Sequence, residues 1–191
     1  MAKKCRACKT PFEPYTSLQV ACSPACALTI GKREAEKKAE REAKAKRKWV
    51  REQKERLKSR SDHMREAQQA FNAYVRQRDE DQPCISCGRS DSEIGGHLTG
   101  GKWDCGHYRS VGANPELRFE PLNAHRQCKK CNRDLSGNVV DYRINLIRRI
   151  GQEAVDWIEG PHEAKKYTID DLKEIKARYR ALKRELERRA A

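Results

Sequence analysis

Two cysteine pairs, Cys84-x-x-Cys87 and Cys128-x-x-Cys131, bracket a segment containing Asp104-Cys-Gly-His107-Tyr-Arg109 and then Asn123-Ala-His125-Arg126. Four thiolates in two close pairs are the ligand set of a structural zinc ion, which is tetrahedral and leaves no position open for water. Such an ion folds the segment without reacting; a double disulfide is the other use of the same residues. The chemistry then falls to what stands between and just after the pairs. A neutral imidazole near pH 7 is a good general base, which singles out His107. Asp104 and Asn132 carry oxygen donors suited to a hard divalent cation, Mg²⁺ or Mn²⁺, acting as Lewis acid on a phosphate and its leaving oxygen. Arg109, Arg118 and Arg126 can hold flanking phosphates through paired N–H donors. That set suits phosphodiester hydrolysis. Each residue also has a plainer role. His107 can be a buried hydrogen-bonded histidine or an auxiliary zinc ligand, Asn123 a loop-orienting residue, Arg109 a solvated charge, Cys105 a small buried residue, and His63 and His97 incidental.

The order CxxC, strand ending in histidine, asparagine, CxxC, asparagine over residues 84–137 resembles the HNH (ββα-metal) nucleases. In that resemblance His107 matches the first position, Asn123 the middle and Asn132 the last. One departure matters: where HNH enzymes often place an acidic metal ligand immediately before the histidine, this chain has Gly106. Asp104, three positions before His107, falls on the opposite face of a regular strand. His125, which shares a strand face with Asn123, is therefore the alternative ligand.

The elements that must position these residues come from a basic, polar chain. Its 191 residues are 37% charged and only 6% aromatic, with a net charge of +14; the pI is near 9.5 and the mean hydropathy −1.02. That leaves too little apolar surface for one large core, so metal staples are expected to help. The charge suits a polyanion, nucleic acid before a membrane surface. The N-terminus shows no signal stretch and no segment is apolar enough to span a bilayer, so a soluble, cytoplasmic protein is expected. In a reducing compartment the nine cysteines read as zinc ligands.

Four stretches are expected. Residues 1–29 form a zinc finger from Cys5, Cys8, Cys22 and Cys26, with Cys22-Ser-Pro-Ala-Cys26 entering a short helix. Residues 30–81 are a long basic helix, free of Gly and Pro from Lys32 to Arg78. Ion pairs such as Glu34–Lys38 and Glu40–Lys44 stabilise it; Lys44, Lys48 and Arg51 are offered to DNA. Val50, Leu57, Met64 and Phe71 recur every seven residues, and Met64, Ala67, Phe71, Tyr74 and Val75 make a better docking stripe. Residues 82–160 hold the zinc-stapled core, opened by Asp81-Gln-Pro83, with a flexible loop at Gly95, Gly96, Gly100 and Gly101. There a helix over Val139 to Ile150 shows Val140, Ile144, Ile147 and Ile150 on one face. Gly151 interrupts it, Val155, Trp157 and Ile158 continue the face, and Gly160-Pro161 ends it. Residues 161–191 start at the cap Thr168-Ile-Asp-Asp171 and carry a heptad, Leu172, Ile175, Tyr179, Leu182 and Leu186. That seam fits a coiled-coil homodimer or the earlier helix of the same chain, and the dimer is the expectation. The fold class is α+β, mostly helical, with a small zinc-stapled ββα core.

Over its whole length the chain resembles the NinG/Rap proteins of lambdoid phages. The match rests on Lys4-Cys-Arg-Ala-Cys8, Cys22-Ser-Pro-Ala-Cys26, Cys105-Gly-His-Tyr-Arg-Ser110, Pro115-Glu-Leu-Arg-Phe119, Gln127-Cys-Lys-Lys-Cys-Asn132 and Leu135-Ser-Gly-Asn138. The resemblance implies a recombination endonuclease that cuts branched DNA, such as Holliday junctions and D-loops, in the bacterial host cell, with other recombination proteins as partners. Composition and spacing alone reach only a basic, metal-assisted, DNA-directed site. A dimer would present two such sites to a four-way junction. Two other readings compete: a noncatalytic zinc-stapled module that binds nucleic acid as a recombination adaptor, and a helical interaction scaffold. Only the nuclease needs His107 beside an open metal site.

Overall fold

Helix-forming residues dominate the chain, and in the computed structural model, which describes residues 2–95 and 101–190, helices carry both of its units, Met1–Lys58 and Ser59–Ala191. The first unit opens with a two-residue ribbon, β1 (Lys3–Lys4) antiparallel to β2 (Pro11–Phe12). Helix α1 (Pro24–Arg56) follows, with Ser23 as N-cap accepting from Cys26 N and proline in its first turn. That placement suits a residue lacking an N–H. The helix entered at Cys22-Ser-Pro-Ala-Cys26 is therefore not short: it runs on through the basic stretch. Its ion pairs are Lys38–Glu42 at 4.0 Å and Lys48–Glu52 at 3.9 Å, different pairs from those expected and equally exposed.

The long helix expected to reach Arg78 stops at Leu57 and restarts as α2 (Arg60–Arg78). Ser59 and Asp62 form a reciprocal capping box, Ser59 Oγ accepting from Asp62 N at 3.2 Å and Asp62 accepting from Ser59 N at 3.0 Å. A box of this kind satisfies two orphan donors and fixes a helix start. The Val50–Leu57–Met64–Phe71 seam is thereby cut, and Leu57 is 77% exposed.

The second unit is a β-hairpin between two helical layers. Strand β3 (Trp103–His107) pairs antiparallel with β4 (Ala124–Cys128), in the register Trp103↔Cys128, Asp104↔Gln127, Gly106↔His125 and His107↔Ala124. Cys105 and Ala124 look toward α2 and α5 (Ile169–Ala190), joining Ala67, Phe71, Val75, Leu172 and Tyr179 in one core. On the other face Tyr142 donates to Gly106 O at 3.0 Å and lies 3.2 Å from His125 Nδ1. Tyr142 and Leu146 of α3 (Val139–Ile150), with Val155 and Ile158 of α4 (Gln152–Glu159), form the second core.

Helices α2 and α5 run parallel. Arg60 reaches Tyr167 O at their starts, Lys176 pairs with Glu66 at 2.7 Å, and the Tyr74 and Tyr179 rings stand 5.2 Å apart. Leu172, Ile175, Tyr179 and Leu182 of the C-terminal heptad thus pack with α2 within the chain. Thr168 caps α5 as expected, exchanging bonds with Asp171. The α3–α4 face is the expected one in part: Ile147, Ile150, Val155 and Ile158 pack inward, but Val140, Ile144 and Trp157 are exposed, and Tyr142 and Leu146 join the inside. Gly151, with φ of 85°, makes the bend between the helices. Residues 60–81 and 161–191, expected as separate stretches, lie in one unit with the central domain because their apolar stripes form its core. His97 and glycines 96 and 100 lie outside the described residues.

Candidate functional site

The two cysteine clusters form as the spacing requires. In each, four thiols approach within 4.8 Å of one another, and all nine cysteines are free. The Sγ–Sγ separations are 3.5 Å for Cys8–Cys22, 3.6 Å for Cys22–Cys26 and 3.9 Å for Cys87–Cys128. A zinc tetrahedron with bonds of about 2.3 Å has edges of about 3.8 Å, and a disulfide has sulfurs about 2.05 Å apart. The clusters therefore have zinc dimensions, and they could hold zinc. Backbone N–H groups point at the sulfurs, Cys22 N at Cys5, Cys128 N at Cys84 and Cys131 N at Cys128. Both first pairs make the same knuckle. Cys5 N bonds Thr10 O and Lys9 N bonds Cys5 O, just as Cys84 N bonds Arg89 O and Gly88 N bonds Cys84 O. The left-handed position is Gly88 in one and Lys9, φ 66°, in the other.

His107 closes β3 on the face toward α2, where its ring lies 5.8 Å from that of Phe71. Its Nε2 sits 3.0 Å from Arg118 O. A carbonyl only accepts, so Nε2 carries the proton and Nδ1 keeps the lone pair. Burial pulls its pKa below the usual histidine value, since desolvation disfavours the cation. The ring is therefore a neutral base at pH 7.

Asp104 stands on the other strand face, as its spacing predicts. Arg133 grips both its oxygens, at 2.7 and 3.1 Å, and Asn132 Nδ2 donates at 3.0 Å. Burial would raise this carboxyl, but the bonds from Arg133 and Asn132 outweigh it and hold it below the ordinary carboxylate range. Asp104 and Asn132 thus come together, while His107 lies three residues along the strand, roughly 10 Å away.

Other residues take structural places. Asn123 is fully buried; its Oδ1 accepts from Arg109 N at 2.8 Å and its Nδ2 donates to Arg109 O and Leu117 O. It ties the two ends of the long β3–β4 connection, the loop-orienting role. His125 is buried against Tyr142, and desolvation with the Arg78 charge pulls its pKa down to about 3. Enclosed there, it is not placed with Asp104 and Asn132 as a ligand. Arg126 is not free for phosphate: its guanidinium donates to the carbonyls of Asp79, Glu80 and Gln82 and to Asp91, and stacks 3.7 Å from the Trp103 ring. It braces the turn that follows α2. Arg118 bonds Gln68 at 3.1 Å. Cys105 is buried and its thiol pushed up to about 12, an inert side chain. On α1, Lys44, Lys48 and Arg51 do share one exposed face, with Arg41 and Arg47 beside them.

Gly106, standing where an acid was expected, has a cause. A Cβ there would lie 2.9 Å from Gln127 Cβ and closer still to its Oε1. Gln127, which sequence reasoning passed over, fills that space and bonds Ser86 Oγ at 2.6 Å and Gly137 O. Its buried Oε1 has no hydrogen-bond partner among the described residues.

Comparison with known proteins gives a consistent answer. A family model described as Bacteriophage Lambda NinG protein matches residues 1–189. Protein ninG of Escherichia phage lambda is 43% identical over 183 residues, covering 90% of this chain and 86% of that protein. Protein ninG of Escherichia phage 933W is 42% identical over 188 residues, covering 93% and 90%, and that of Salmonella phage P22 is 42% identical over 183 residues, covering 90% and 86%. No solved structure matches.

Proposed function

The chain belongs to the NinG family of lambdoid phages, and from that premise we propose that it is a divalent-metal-dependent endodeoxyribonuclease acting on branched recombination intermediates, Holliday junctions and D-loops. The observation that carries the reading is the state of His107: fixed through Nε2 to Arg118 O, neutral, with Nδ1 lacking a hydrogen-bond partner among the described residues. In this reading Nδ1 takes a proton from the attacking water as the water oxygen bonds phosphorus and the phosphorus–leaving-oxygen bond breaks. Arg109, two residues after His107, and Arg118, whose carbonyl holds the His107 ring, bind the non-bridging oxygens. Asn123 keeps the connecting loop in shape. Bound Mg²⁺ or Mn²⁺ supplies Lewis-acid stabilisation of the developing charge. Asp104 and Asn132 would hold that ion; their oxygens suit it, and the Arg133 guanidinium already stands as a cation against the carboxylate. The cluster Cys84, Cys87, Cys128 and Cys131, loaded with zinc, folds the site, the first cluster folds the N-terminal unit, and in this reading the hairpin with the helix after it is a ββα core. The protein works in the host cytoplasm beside recombination proteins.

The test is Mg²⁺- or Mn²⁺-dependent cleavage of a four-way junction and a matched linear duplex by wild type and His107→Ala. Cleavage by wild type alone, with junction binding intact in the variant, is the expected result; a variant that cuts as fast as wild type refutes the role of His107. A second reading, a noncatalytic zinc-stapled nucleic-acid-binding module, is favoured by the bidentate Arg133 grip on Asp104 and by the separation of Asp104 from His107 on opposite strand faces. Binding without any cleavage would select it.

A further inference from the structure

Arginines in the second unit are mostly engaged. Arg65, Arg78, Arg126, Arg133, Arg143 and Arg189 all hold carboxylates. Arg76, Arg180 and Arg184 form no ion pair or hydrogen bond among the described residues, yet they are gathered along one side of the α2–α5 pair. Arg76 lines a trough of about 320 Å³ with Lys102, Trp103 and Lys183. Arg180 and Arg184, one helical turn apart, line the neighbouring hollow of about 380 Å³ with Lys173 and Lys176. The spacing 173, 176, 180, 184 keeps one face of the helix, and residue 183 sits at its edge. Three of the lysines are paired, Lys176 with Glu66, Lys183 with Glu187 and Lys102 with Asp91. The arginines are left uncompensated, with Glu80 the acid that shares the trough.

We propose that this trough is a track for the DNA backbone, a phosphate-binding surface separate from the arginines around His107; it rests on the DNA-directed reading above. Planar guanidinium forks suit phosphate oxygens, and surface pairs such as Lys173–Asp170 are weak enough for a phosphate to replace the carboxylate. Successive cations on α5 are about 5 to 6 Å apart along the axis, a repeat on the scale of successive phosphates. The trough lacks what an acidic protein partner would need, an apolar anchor at its centre. Its one aromatic ring, Trp103, is covered by Arg126. Location also fits: Trp103, in the trough, and His107 stand at the two ends of β3, roughly 13 Å apart.

The experiment measures junction binding in EDTA by fluorescence anisotropy over a salt series, with full-length, zinc-loaded protein. Arg76→Gln/Arg180→Gln/Arg184→Gln is compared with a control that removes the same charge elsewhere, Arg148→Gln/Arg178→Gln/Arg189→Gln. Each phosphate contact contributes about 0.9 to the slope of log K against log salt. The trough variant should therefore lose about 2 to 3 in slope and at least about tenfold in affinity at 0.1 M salt, the control less than 1 in slope. Equal losses in the two variants overturn the track, since diffuse charge would then be the cause. Unchanged binding in the trough variant also overturns it, and leaves an acidic protein as the occupant while the DNA reading stands. If wild type binds neither junction nor duplex, the DNA reading falls and the track with it. Arg180→Gln/Arg184→Gln, both exposed, serves if the triple variant misfolds; its slope should fall by about 2.

Discussion

Replacing Gly106 by alanine should be among the most damaging small changes in the hairpin. An added Cβ would stand 2.9 Å from Gln127 Cβ and nearer still to its amide. The amide cannot swing aside freely, because Gln127 is fully buried and its Nε2 holds Ser86 Oγ and Gly137 O. Overpacking costs about 1–3 kcal/mol, and losing two hydrogen bonds adds about 1 kcal/mol each. Gly106→Ala should therefore cost about 3–5 kcal/mol, against a typical total stability of about 5–15 kcal/mol. In a Gln127→Ala background most of the clash is gone, and only the tight approach of the two Cβ atoms remains. There the same change should cost about 1 kcal/mol, leaving a coupling of at least about 2 kcal/mol. Urea unfolding of the four proteins, followed by circular dichroism with zinc present, measures the cycle. If Gly106→Ala lies within about 0.5 kcal/mol of wild type, or costs the same in both backgrounds, the packing argument is wrong. The result bears on chemistry as well, since an aspartate introduced at 106 would meet the same obstruction.

Two further outcomes follow from burial. His125 is held neutral with its pKa near 3, whereas an unfolded histidine titrates near 6.5, so its contribution is complete above pH 6.5 and is lost as pH falls toward 3. At about 1.4 kcal/mol per pH unit, wild type should lose up to about 4–5 kcal/mol over that window, and His125→Gln should show a flatter profile; parallel profiles of urea midpoint against pH would dismiss the assignment. Zinc should leave in two phases under a chelator, because Cys8 and Cys22 are exposed while Cys84, Cys128 and Cys131 are each 1% exposed. A colorimetric zinc assay should find the slow half tracking global unfolding, and simultaneous release would contradict the difference in access.

What the sequence made legible was local. The CxxC pairs, the Thr168 cap, the α5 heptad and the Gly160-Pro161 stop each act within a few residues, and each is found where its chemistry requires. The misreadings were of partners. The restart at Ser59 hides in a run of good helix formers, where neither Gly nor Pro marks it and only the Ser59–Asp62 pair does. On α3 the β-branched residues located only part of the buried face: Ile147 and Ile150 pack inward, but its centre is Tyr142, whose hydroxyl satisfies Gly106 O and meets His125. Arg126 reads as a phosphate ligand by charge alone; only the fold shows that its guanidinium is taken up by the carbonyls of the turn after α2.

The same accounting bears on the site. By drawing Arg126 and Asn123 into the scaffold, the fold leaves fewer residues for chemistry than the motif suggests, and it divides them between the hairpin's faces. His107 shares its face with α2, and the trough beside α2 opens at the other end of the same strand. Asp104 and Asn132 belong to the opposite face, with Arg133 closing over the carboxylate. On the proposed reading, a phosphate at His107 therefore meets the base before it meets any oxygen donor. For cleavage to follow, Arg133 must yield Asp104 to the cation and the scissile phosphate must span the strand end. Binding requires neither movement, so the proposed DNA binding and the proposed cleavage can be tested, and can fail, independently.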